Sequence, residues 1–228
     1  MIESSRTPDD ALFTVDDFVE LGHSKGVTKQ DWLQAVDRKY EEVSVAQIIH
    51  SNPHLQHILK KLQELNLPVP TNLTVPVKPD FIPEKCAHLI YEFPRSVVSD
   101  EKLLDAVVVN GHKIKEYAKL KDMRDIVDTP KQARFVWVND GRNRLDVSPL
   151  NAEKSFVQGE IGGTVRAGLH LLLYYPEILN HHLLDLPGSR YDVDIPYLSG
   201  WDGRPRLDAY SADDAVPEGG SVSLGVSQ

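Results

Sequence analysis

A short stretch of the C-terminal half carries side chains whose types could together perform catalysis. It contains His181, His182, Asp185, Ser189 and Arg190. A serine hydroxyl can act as a nucleophile when an imidazole removes its proton and a carboxylate orients that imidazole. One interpretation is therefore a hydrolase- or transferase-type site around residues 181–192. The other, which we favour, is a glycine-based turn between a helix and a strand, with Arg190 bound to a backbone carbonyl or an acid.

The same stretch offers little for a metal ion or a cofactor. His181 and Asp185 have the i,i+4 spacing of two ligands on one helix face, but the neighbouring sequence supplies no third ligand. Cys86 is the only cysteine, so a site built from several thiolates is excluded. The glycine spacings of dinucleotide-binding folds and of P-loops are missing as well. The sequence therefore predicts no metal site and no cofactor.

Two nearly identical segments, 140–146 and 202–208, are the candidates for a binding surface; they differ only in having Asn143 or Pro205. Each begins with Asp-Gly, the pair that favours the type I′ turn of a two-residue β-hairpin. In that register one face of the two hairpins carries Trp137, Arg142 and Arg144, and Trp201, Arg204 and Arg206. Arginine binds carboxylates and phosphates, and both residue types are frequent at interfaces. These six side chains are therefore our candidates for a ligand- or partner-binding surface. The other interpretation, which we favour for this face, is a solvated surface on which Arg144 stacks on Trp137 and is balanced by Asp146.

The opposite face of the same two hairpins is apolar. Side chains alternate between the faces of a strand, and residues paired across two strands share a face. This face carries Val136, Val138 and Leu145 in the first copy and Leu198, Pro205 and Leu207 in the second. The register therefore predicts that Leu145 and Leu207 are buried and that the arginine pairs are exposed.

The elements that must position these side chains form an α+β pattern. Residues 1–66 show helical periodicity, and the proline-rich residues 67–83 exclude a helix and predict a linker or a surface arm. Residues 84–228 combine short strand patterns with helices and do not repeat βαβ units. We therefore predict an N-terminal helical segment, a linker or arm, and an α+β domain whose mixed or antiparallel sheet includes both hairpins, with a buried helix between them.

Two of these elements have specific local signals. Thr164 can cap a helix that continues to Tyr175, and the leucines of this helix leave little polar surface, so we expect it to be buried. Asn110 and Gly111 form the other strong turn pair, between Val109 and Lys113. Because both positions of a type I′ turn need positive φ, this pair predicts a small hairpin.

The formal net charge of −9 limits the classes of partner. A nucleic-acid-binding surface needs a basic footprint, and an anionic membrane repels an acidic protein. Residues 1–10 are polar and do not resemble a secretory or transit peptide, and a single cysteine suits a reducing compartment. The sequence therefore predicts a cytoplasmic protein with neither nucleic acid nor membrane as a partner.

A series of short motifs in the C-terminal half carries a resemblance. They are residues 135–138, 145–149, 175–179, 187–190, 195–198, 206–207 and 220–225. In these motifs the chain resembles a family of uncharacterised bacterial proteins known only as a domain of unknown function, whose members also tend to open with a helical segment like residues 15–40. The resemblance implies a shared fold over roughly the last 120 residues and no particular activity. The chain departs from the pattern at Ser199 and around Tyr210, where more aromatic residues are expected, so a site lined by those aromatics would be lost or changed here.

The sequence favours a cytoplasmic, non-catalytic module that binds a protein partner or a small ligand, with a hydrolase- or transferase-type enzyme as the alternative. The two hypotheses place the key side chains differently. A binding module presents Trp137 and Arg144 outward, because these residue types supply interface energy. An enzyme brings the five candidate side chains, His181, His182, Asp185, Ser189 and Arg190, into one cleft.

Overall fold

The structure is a computed structural model that describes residues 52–226, apart from the side chain of Trp201. The predicted helices within residues 15–40, and with them most of the predicted segment 1–66, lie outside the described residues. The described residues belong to one compact unit that begins at Asn52. None of its helices has the length and apolarity needed to cross a bilayer.

The described unit confirms the predicted mixed α+β class. Residues 52–226 form four α-helices, which are α1 (Pro53–Glu64), α2 (Asp100–Ala106), α3 (Pro149–Lys154) and α4 (Val165–Tyr174). The same residues form thirteen strands, which are β1 (Ala87–Glu92), β2 (Val108–Val109), β3 (His112–Lys113), β4 (Lys115–Glu116), β5 (Met123–Asp125), β6 (Arg134–Asn139), β7 (Glu160–Gly162), β8 (Leu183–Asp185), β9 (Ser189–Tyr191), β10 (Ile195–Ser199), β11 (Arg206–Tyr210), β12 (Gly219–Ser221) and β13 (Ser223–Gly225).

These strands form two main sheets. One has four antiparallel strands in the order β1-β6-β13-β7. The other has five strands in the order β12-β8-β10-β11-β4, with antiparallel pairs at its centre and a parallel pair at each edge. The short strands β2 and β3 pair with each other, as do β5 and β9.

Helix α1 begins at Pro53, where the side chain of Asn52 caps it by accepting a hydrogen bond from Leu55 N at 3.1 Å. Four apolar side chains at helical spacing are buried, namely Leu55, Ile58, Leu59 and Leu62. The helix packs on β1 and α4. Residues 53–64 therefore belong to the same compact unit as the sheets.

Helix α4 is buried along its whole length, as its leucine-rich sequence predicts. The hydroxyl of Thr164 caps it by accepting a hydrogen bond from Ala167 N at 3.1 Å. The helix packs against β1 of one sheet and β10 of the other. Arg166 of this helix is buried as well. The cost of burying its charge is offset because the guanidinium donates to the carbonyls of Phe93 and Val98 and pairs with the carboxylate of Asp100.

The proline-rich segment lies along the four-stranded sheet as a surface arm. The carbonyl of Pro76 accepts a hydrogen bond from the indole of Trp137 at 2.8 Å. The ring of Pro79 packs against Gly225 of β13, so closely that a Cβ at Gly225 would overlap it. Prolines suit this position because an arm outside the sheet does not need their missing N–H groups.

The hairpin predicted around Asn110 and Gly111 is confirmed. Val109 pairs with His112, and the two turn residues have φ values of 51° and 80°. Both positive values belong to the type I′ turn that joins two strands with the twist of a sheet.

The second Asp-Gly pair lies in the turn between β10 and β11. Ser199 pairs with Arg206 and Leu198 with Leu207, which is the pairing that the Asp-Gly register gives. Asp202 and Gly203 have φ values of 54° and 71°. Leu207 is fully buried.

At the first Asp-Gly pair the structure departs from the predicted hairpin. Val138 pairs with His88 of β1 and with Leu224 of β13, and not with Asn143. Both edges of β6 are thus occupied by strands from distant parts of the chain, and no edge remains for a local hairpin. Gly141 (φ 85°) instead leads into a 3₁₀ turn, Arg142–Arg144.

The buried face predicted for this first copy is therefore partly wrong. Leu145 pairs with Gly220 through an isolated bridge and is 38% exposed, whereas Val136 and Val138 are buried. The segment after Asp140 joins the edge of the five-stranded sheet and does not fold back on β6. The surroundings of Leu145 are therefore set by its bridge to Gly220 and not by the Asp-Gly turn.

Candidate functional site

Ser189 and Arg190, two of the predicted catalytic residues, have structural roles. The Ser189 hydroxyl donates to the carboxylate of Asp125 at 2.6 Å and accepts from Val165 N at 3.0 Å. The guanidinium of Arg190 donates to the carboxylate of Glu153 at 3.0 Å and to a backbone carbonyl of the preceding turn. These contacts match the structural interpretation of a turn with Arg190 bound to an acid and a carbonyl.

The two neighbouring histidines also differ from a catalytic arrangement. His181 is exposed, whereas His182 is buried and its Nε2–H donates to the carbonyl of Asp140 at 2.8 Å. Burial lowers the pKa of His182, although its contact with Asp140 opposes the shift, so the imidazole is neutral near pH 7. Within residues 52–226 no three histidine, cysteine or acidic side chains are grouped to hold a metal ion.

Asp185 has the most perturbed acidity of the predicted catalytic residues. Its carboxylate is fully buried and accepts a hydrogen bond from the Tyr210 hydroxyl at 2.6 Å through Oδ1. Oδ2 has no hydrogen-bond partner in the structure. Burial raises the pKa of Asp185 to about 7, although the hydrogen bond from Tyr210 opposes the shift.

The five predicted catalytic side chains therefore do not form one constellation. In the described part of the chain no hydrogen bond joins the side chains of any two of them. His182 contacts the end of β6, Asp185 contacts β11, and Ser189 contacts β5. The nucleophile, base and orienting acid that an acyl-transfer site requires are not brought together.

Ser189→Ala tests the structural role of this hydroxyl. The substitution leaves Val165 N and one oxygen of Asp125 without a partner, so we expect a loss of about 1–3 kcal/mol in the free energy of unfolding. Urea denaturation followed by circular dichroism measures it. Ser96→Ala is the matched control, since Ser96 is exposed. Equal stability of the two variants would contradict the assigned role.

The tryptophan and arginines of the first segment face inward, which corrects the predicted outer surface. Trp137 is only 9% exposed and lies under the proline-rich arm. Arg144 pairs with Glu160 at 2.7 Å and stacks over the ring of Phe156, whose centroid is 4.9 Å from its guanidinium carbon. The predicted stacking of Arg144 on Trp137 is therefore wrong, because Arg144 follows a turn that carries it to β7.

Arg142 belongs to a buried centre around Asp140 at the end of β6. The carboxylate of Asp140 accepts hydrogen bonds from the guanidinium of Arg142 at 2.9 Å and from Nε2 of His88 at 3.1 Å. Burial opposes ionisation, but the hydrogen bonds from His88 and from the Arg142 backbone hold the pKa of Asp140 below its usual value. With His182 on its carbonyl, Asp140 links the two main sheets.

The arginines of the second segment line an open cleft of about 800 Å³. The side chain of Trp201, which was predicted to lie beside them, is outside the described residues. The cleft is lined by His112, Lys113, Lys115, Tyr117, Asp202, Arg204, Pro205 and Arg206. Of the predicted binding residues whose side chains the structure describes, Arg204 and Arg206 are brought together here, whereas Trp137, Arg142 and Arg144 are not.

The parallel pairing of β4 with β11 builds the floor of this cleft. Arg206 pairs with Lys115, and backbone hydrogen bonds from Lys115 N to Pro205 O at 3.0 Å and from Tyr117 N to Leu207 O at 2.9 Å fix the register. Paired residues point to the same face of a sheet, so Arg206 and Lys115 lie side by side. Arg206 lies between the buried Pro205 and Leu207, and Lys115 follows the buried Ile114, so both cations point toward the cleft that they line.

Two contacts orient these cations further. Nε of Arg206 donates to the hydroxyl of Ser199 at 3.0 Å, across the β10–β11 pair. Nζ of Lys115 lies 4.6 Å from the centroid of the Tyr117 ring, within the range of a cation–π interaction. Ser199, where the resemblance predicts an aromatic residue, therefore supplies a hydroxyl that accepts a hydrogen bond from Arg206.

The cleft has the opposite sign to the protein as a whole. Its lining has four lysine and arginine side chains and one carboxylate, that of Asp202. The chain as a whole has a formal net charge of −9. A concave surface lined by one sign of charge focuses the electrostatic potential and attracts ions of the other sign.

Arg204 and Arg206 of this cleft are among the predicted binding residues, whereas Lys113 and Lys115 are not. Lys113, Lys115 and Tyr117 occur at every second position, with Ile114 buried between the lysines, and this alternation is a strand signal. The signal shows that the lysines share a face. It cannot show that this face adjoins Arg206, because that pairing joins residues far apart in the sequence.

No protein-family model, curated protein or solved structure matches the chain.

Proposed function

We propose that the protein is a non-catalytic binding module that holds a small anionic ligand in the basic cleft between β4 and β11. The observation that carries the proposal is the convergence of Lys115, Arg204 and Arg206, with Lys113, in one concavity of an acidic protein. Cations that lie close together repel one another, and a bound anion lowers that repulsion. Arginine forks and lysine ammonium groups are the usual ligands for phosphate and carboxylate groups.

A small molecule suits the cleft better than a long polyanion. Its volume of about 800 Å³ lies within the range of ligand pockets, about 300–1,000 Å³. A nucleic acid or a long acidic segment would extend beyond the cleft over a protein with a net charge of −9. The negative surface around the cleft repels such a polyanion over a Debye length of about 8 Å at physiological salt. A short ligand that stays within the cleft avoids this repulsion. We also propose that the protein is cytoplasmic, because its single cysteine, Cys86, suits a reducing compartment.

The hydrolase- or transferase-type alternative around residues 181–192 is not the function we propose. The Ser189 hydroxyl is fully buried, donates to Asp125 and accepts from the first N–H of α4, so the side chain is not presented to a substrate. Membership of the resembled bacterial family remains a prediction. It agrees with a binding module in implying no reaction.

Titration with inorganic pyrophosphate by isothermal calorimetry at low salt tests this function. We expect saturable binding, and we expect Arg204→Ala with Arg206→Ala to weaken it by at least about tenfold because both guanidinium groups are lost. Lys60→Ala with Lys102→Ala is the matched control, since it removes two exposed positive charges outside the cleft. A control that weakens binding as much as the cleft variant would show a nonspecific effect of net charge and would contradict the proposal.

A further inference from the structure

We infer that the connection between β11 and β12, residues 211–218, is a pH-dependent lid that opens when the carboxyl of Asp185 beneath it loses its proton. Asp185 lies on β8, away from the basic cleft between β4 and β11. Its side chain is fully buried, yet Oδ2 has no hydrogen-bond partner. A buried polar atom without a partner is costly, so a change of charge at this atom has a large effect on the structure around it.

Oxygen atoms from three elements surround the space over Gly219 of β12, where Oδ2 of Asp185 lies. A Cβ at Gly219 would be 3.1 Å from this Oδ2 and 3.1 Å from the carbonyl oxygen of Val216. The hydroxyl oxygen of Tyr210 would be 3.4 Å from the same point. Ser221, which pairs with Asp185, has a buried hydroxyl that also lacks a partner. Val216 belongs to the lid, so the closed lid places a carbonyl oxygen close to the carboxyl.

The protonated carboxyl fits these surroundings and the ionised one does not. Oδ1 accepts the hydrogen bond from the Tyr210 hydroxyl at 2.6 Å, so the proton of the neutral carboxyl belongs on Oδ2. There it faces an acceptor, because the Val216 carbonyl has a second lone pair beside the one that accepts from Gly219 N at 2.8 Å. An ionised Oδ2 faces the lone pairs of that carbonyl and has no donor in the structure. It therefore needs water, which enters when the lid opens.

The other titratable groups on this face of the sheet do not neutralise the carboxylate. Burial raises the pKa values of Tyr210 and Tyr197, so both hydroxyls stay neutral near pH 7. The carboxylate of Asp214, on the lid, acts on Tyr210 and adds negative charge. The other charged side chains that act on these tyrosines are Arg206 and Asp208 of β11. Within residues 52–226 no cation forms an ion pair with Asp185, so its charge is relieved by hydration.

The lid is a weakly held part of the unit. Most of residues 211–218 are exposed. Backbone hydrogen bonds hold the lid to its surroundings, from Leu150 N to Ala212 O at 3.0 Å, from Gly219 N to Val216 O at 2.8 Å and from Leu183 N to Glu218 O at 2.9 Å. A segment with little buried surface opens at a much lower cost than the whole unit unfolds. Ionisation of Asp185 therefore opens the lid while both sheets persist.

The direction of the pH response follows from the pKa of Asp185 in the closed and open forms. Burial under the closed lid raises this pKa to about 7, although the hydrogen bond from Tyr210 opposes the shift. Exposure in the open form returns it toward its ordinary value of 3.8. Between these values the open form binds fewer protons, so opening becomes more frequent as the pH rises. The expected increase is about a hundredfold between about pH 5 and about pH 8.

Amide hydrogen exchange followed by NMR at about pH 5 and about pH 8 tests the lid. We expect the protection factors of the Leu150, Leu183 and Gly219 amides to fall about a hundredfold in the wild type over this range. In Asp185→Asn we expect them to change less than about threefold, because the asparagine side chain stays neutral. Asp208→Asn is the matched control and should respond as the wild type does, since Asp208 is a half-buried carboxylate on the same face of the sheet.

The amide of Gly168 in the buried helix α4, which donates to Thr164 O at 2.9 Å, reports unfolding of the whole unit. Lid amides that exchange no faster than Gly168 at about pH 8 would overturn the inference, since opening would then require global unfolding. An equal fall of protection in Asp185→Asn and in the wild type would overturn it as well. The comparison with Gly168 uses the wild type alone, so it remains decisive if Asp185→Asn does not fold.

Discussion

Replacing Gly141 with alanine is expected to lower the free energy of unfolding by roughly 4 kcal/mol or more, because two unfavourable effects coincide at this residue. Gly141 has φ of 85°, a conformation that costs an L-residue about 1–2 kcal/mol. A Cβ would also overlap the backbone of Gly220 and lie 2.7 Å from Ser221 N. Backbone cannot yield as a flexible side chain does, so β12 would have to move away from the end of β6.

Gly111→Ala is the control that separates the two effects. Gly111 has φ of 80°, but a Cβ there would meet nothing within 4 Å. We therefore expect this variant to lose only about 1–2 kcal/mol. Chemical denaturation of both variants measures the difference. If the two substitutions destabilise equally, the close approach of Gly141 and Gly220 does not constrain the fold.

Asp185→Asn is expected to stabilise the protein relative to wild type progressively as the pH rises from about 4 to about 7. The pKa of Asp185 is about 7 in the folded protein, and that of an unfolded aspartate is about 3.9. Between these values the unfolded chain has released the proton and the folded chain keeps it, so wild-type stability falls as the pH rises. Three pKa units correspond to about 4 kcal/mol, and the effect ends above the folded pKa.

The difference between Asp185→Asn and wild type isolates this carboxyl from the others. Denaturation at pH 4, 5.5, 7 and 8 should give a difference that is constant below pH 4, grows to pH 7 and then levels off. Asparagine retains an oxygen that can accept the hydrogen bond from Tyr210. A difference that does not change with pH would show that Asp185 has an ordinary pKa.

Local sequence signals predicted the elements whose conformation is fixed by neighbouring residues. Thr164 caps α4, and the pair Asn110 and Gly111 forms its hairpin. The pairing of Leu198 with Leu207 likewise follows from residues close in sequence. In each case the turn or cap supplies the geometry and the hydrophobic pattern selects the face, so no information from elsewhere in the chain is needed.

The same signals failed where distant strands compete. Residues 140–146 and 202–208 are almost identical, yet only the second segment lies in a turn between paired strands. There β10 has a free edge, and β11, the next strand along the chain, pairs with it. Val138 is already flanked by β1 and β13, so the chain after Asp140 leaves the sheet. The basic cleft was half predicted for the same reason. Arg206 is near a recognisable turn, whereas Lys115 joins it only through a parallel pairing between distant segments.

The contact between Gly141 and Gly220 separates two kinds of evolutionary constraint in this protein. A Cβ at either residue would clash with the backbone of the other, so a sequence that keeps this joint must keep glycine at both positions. The cations of the cleft lie on β3, β4, β11 and the turn before β11, and none of them takes part in that contact. Substitutions among the cleft cations therefore leave this joint intact, whereas a substitution of either glycine disrupts it.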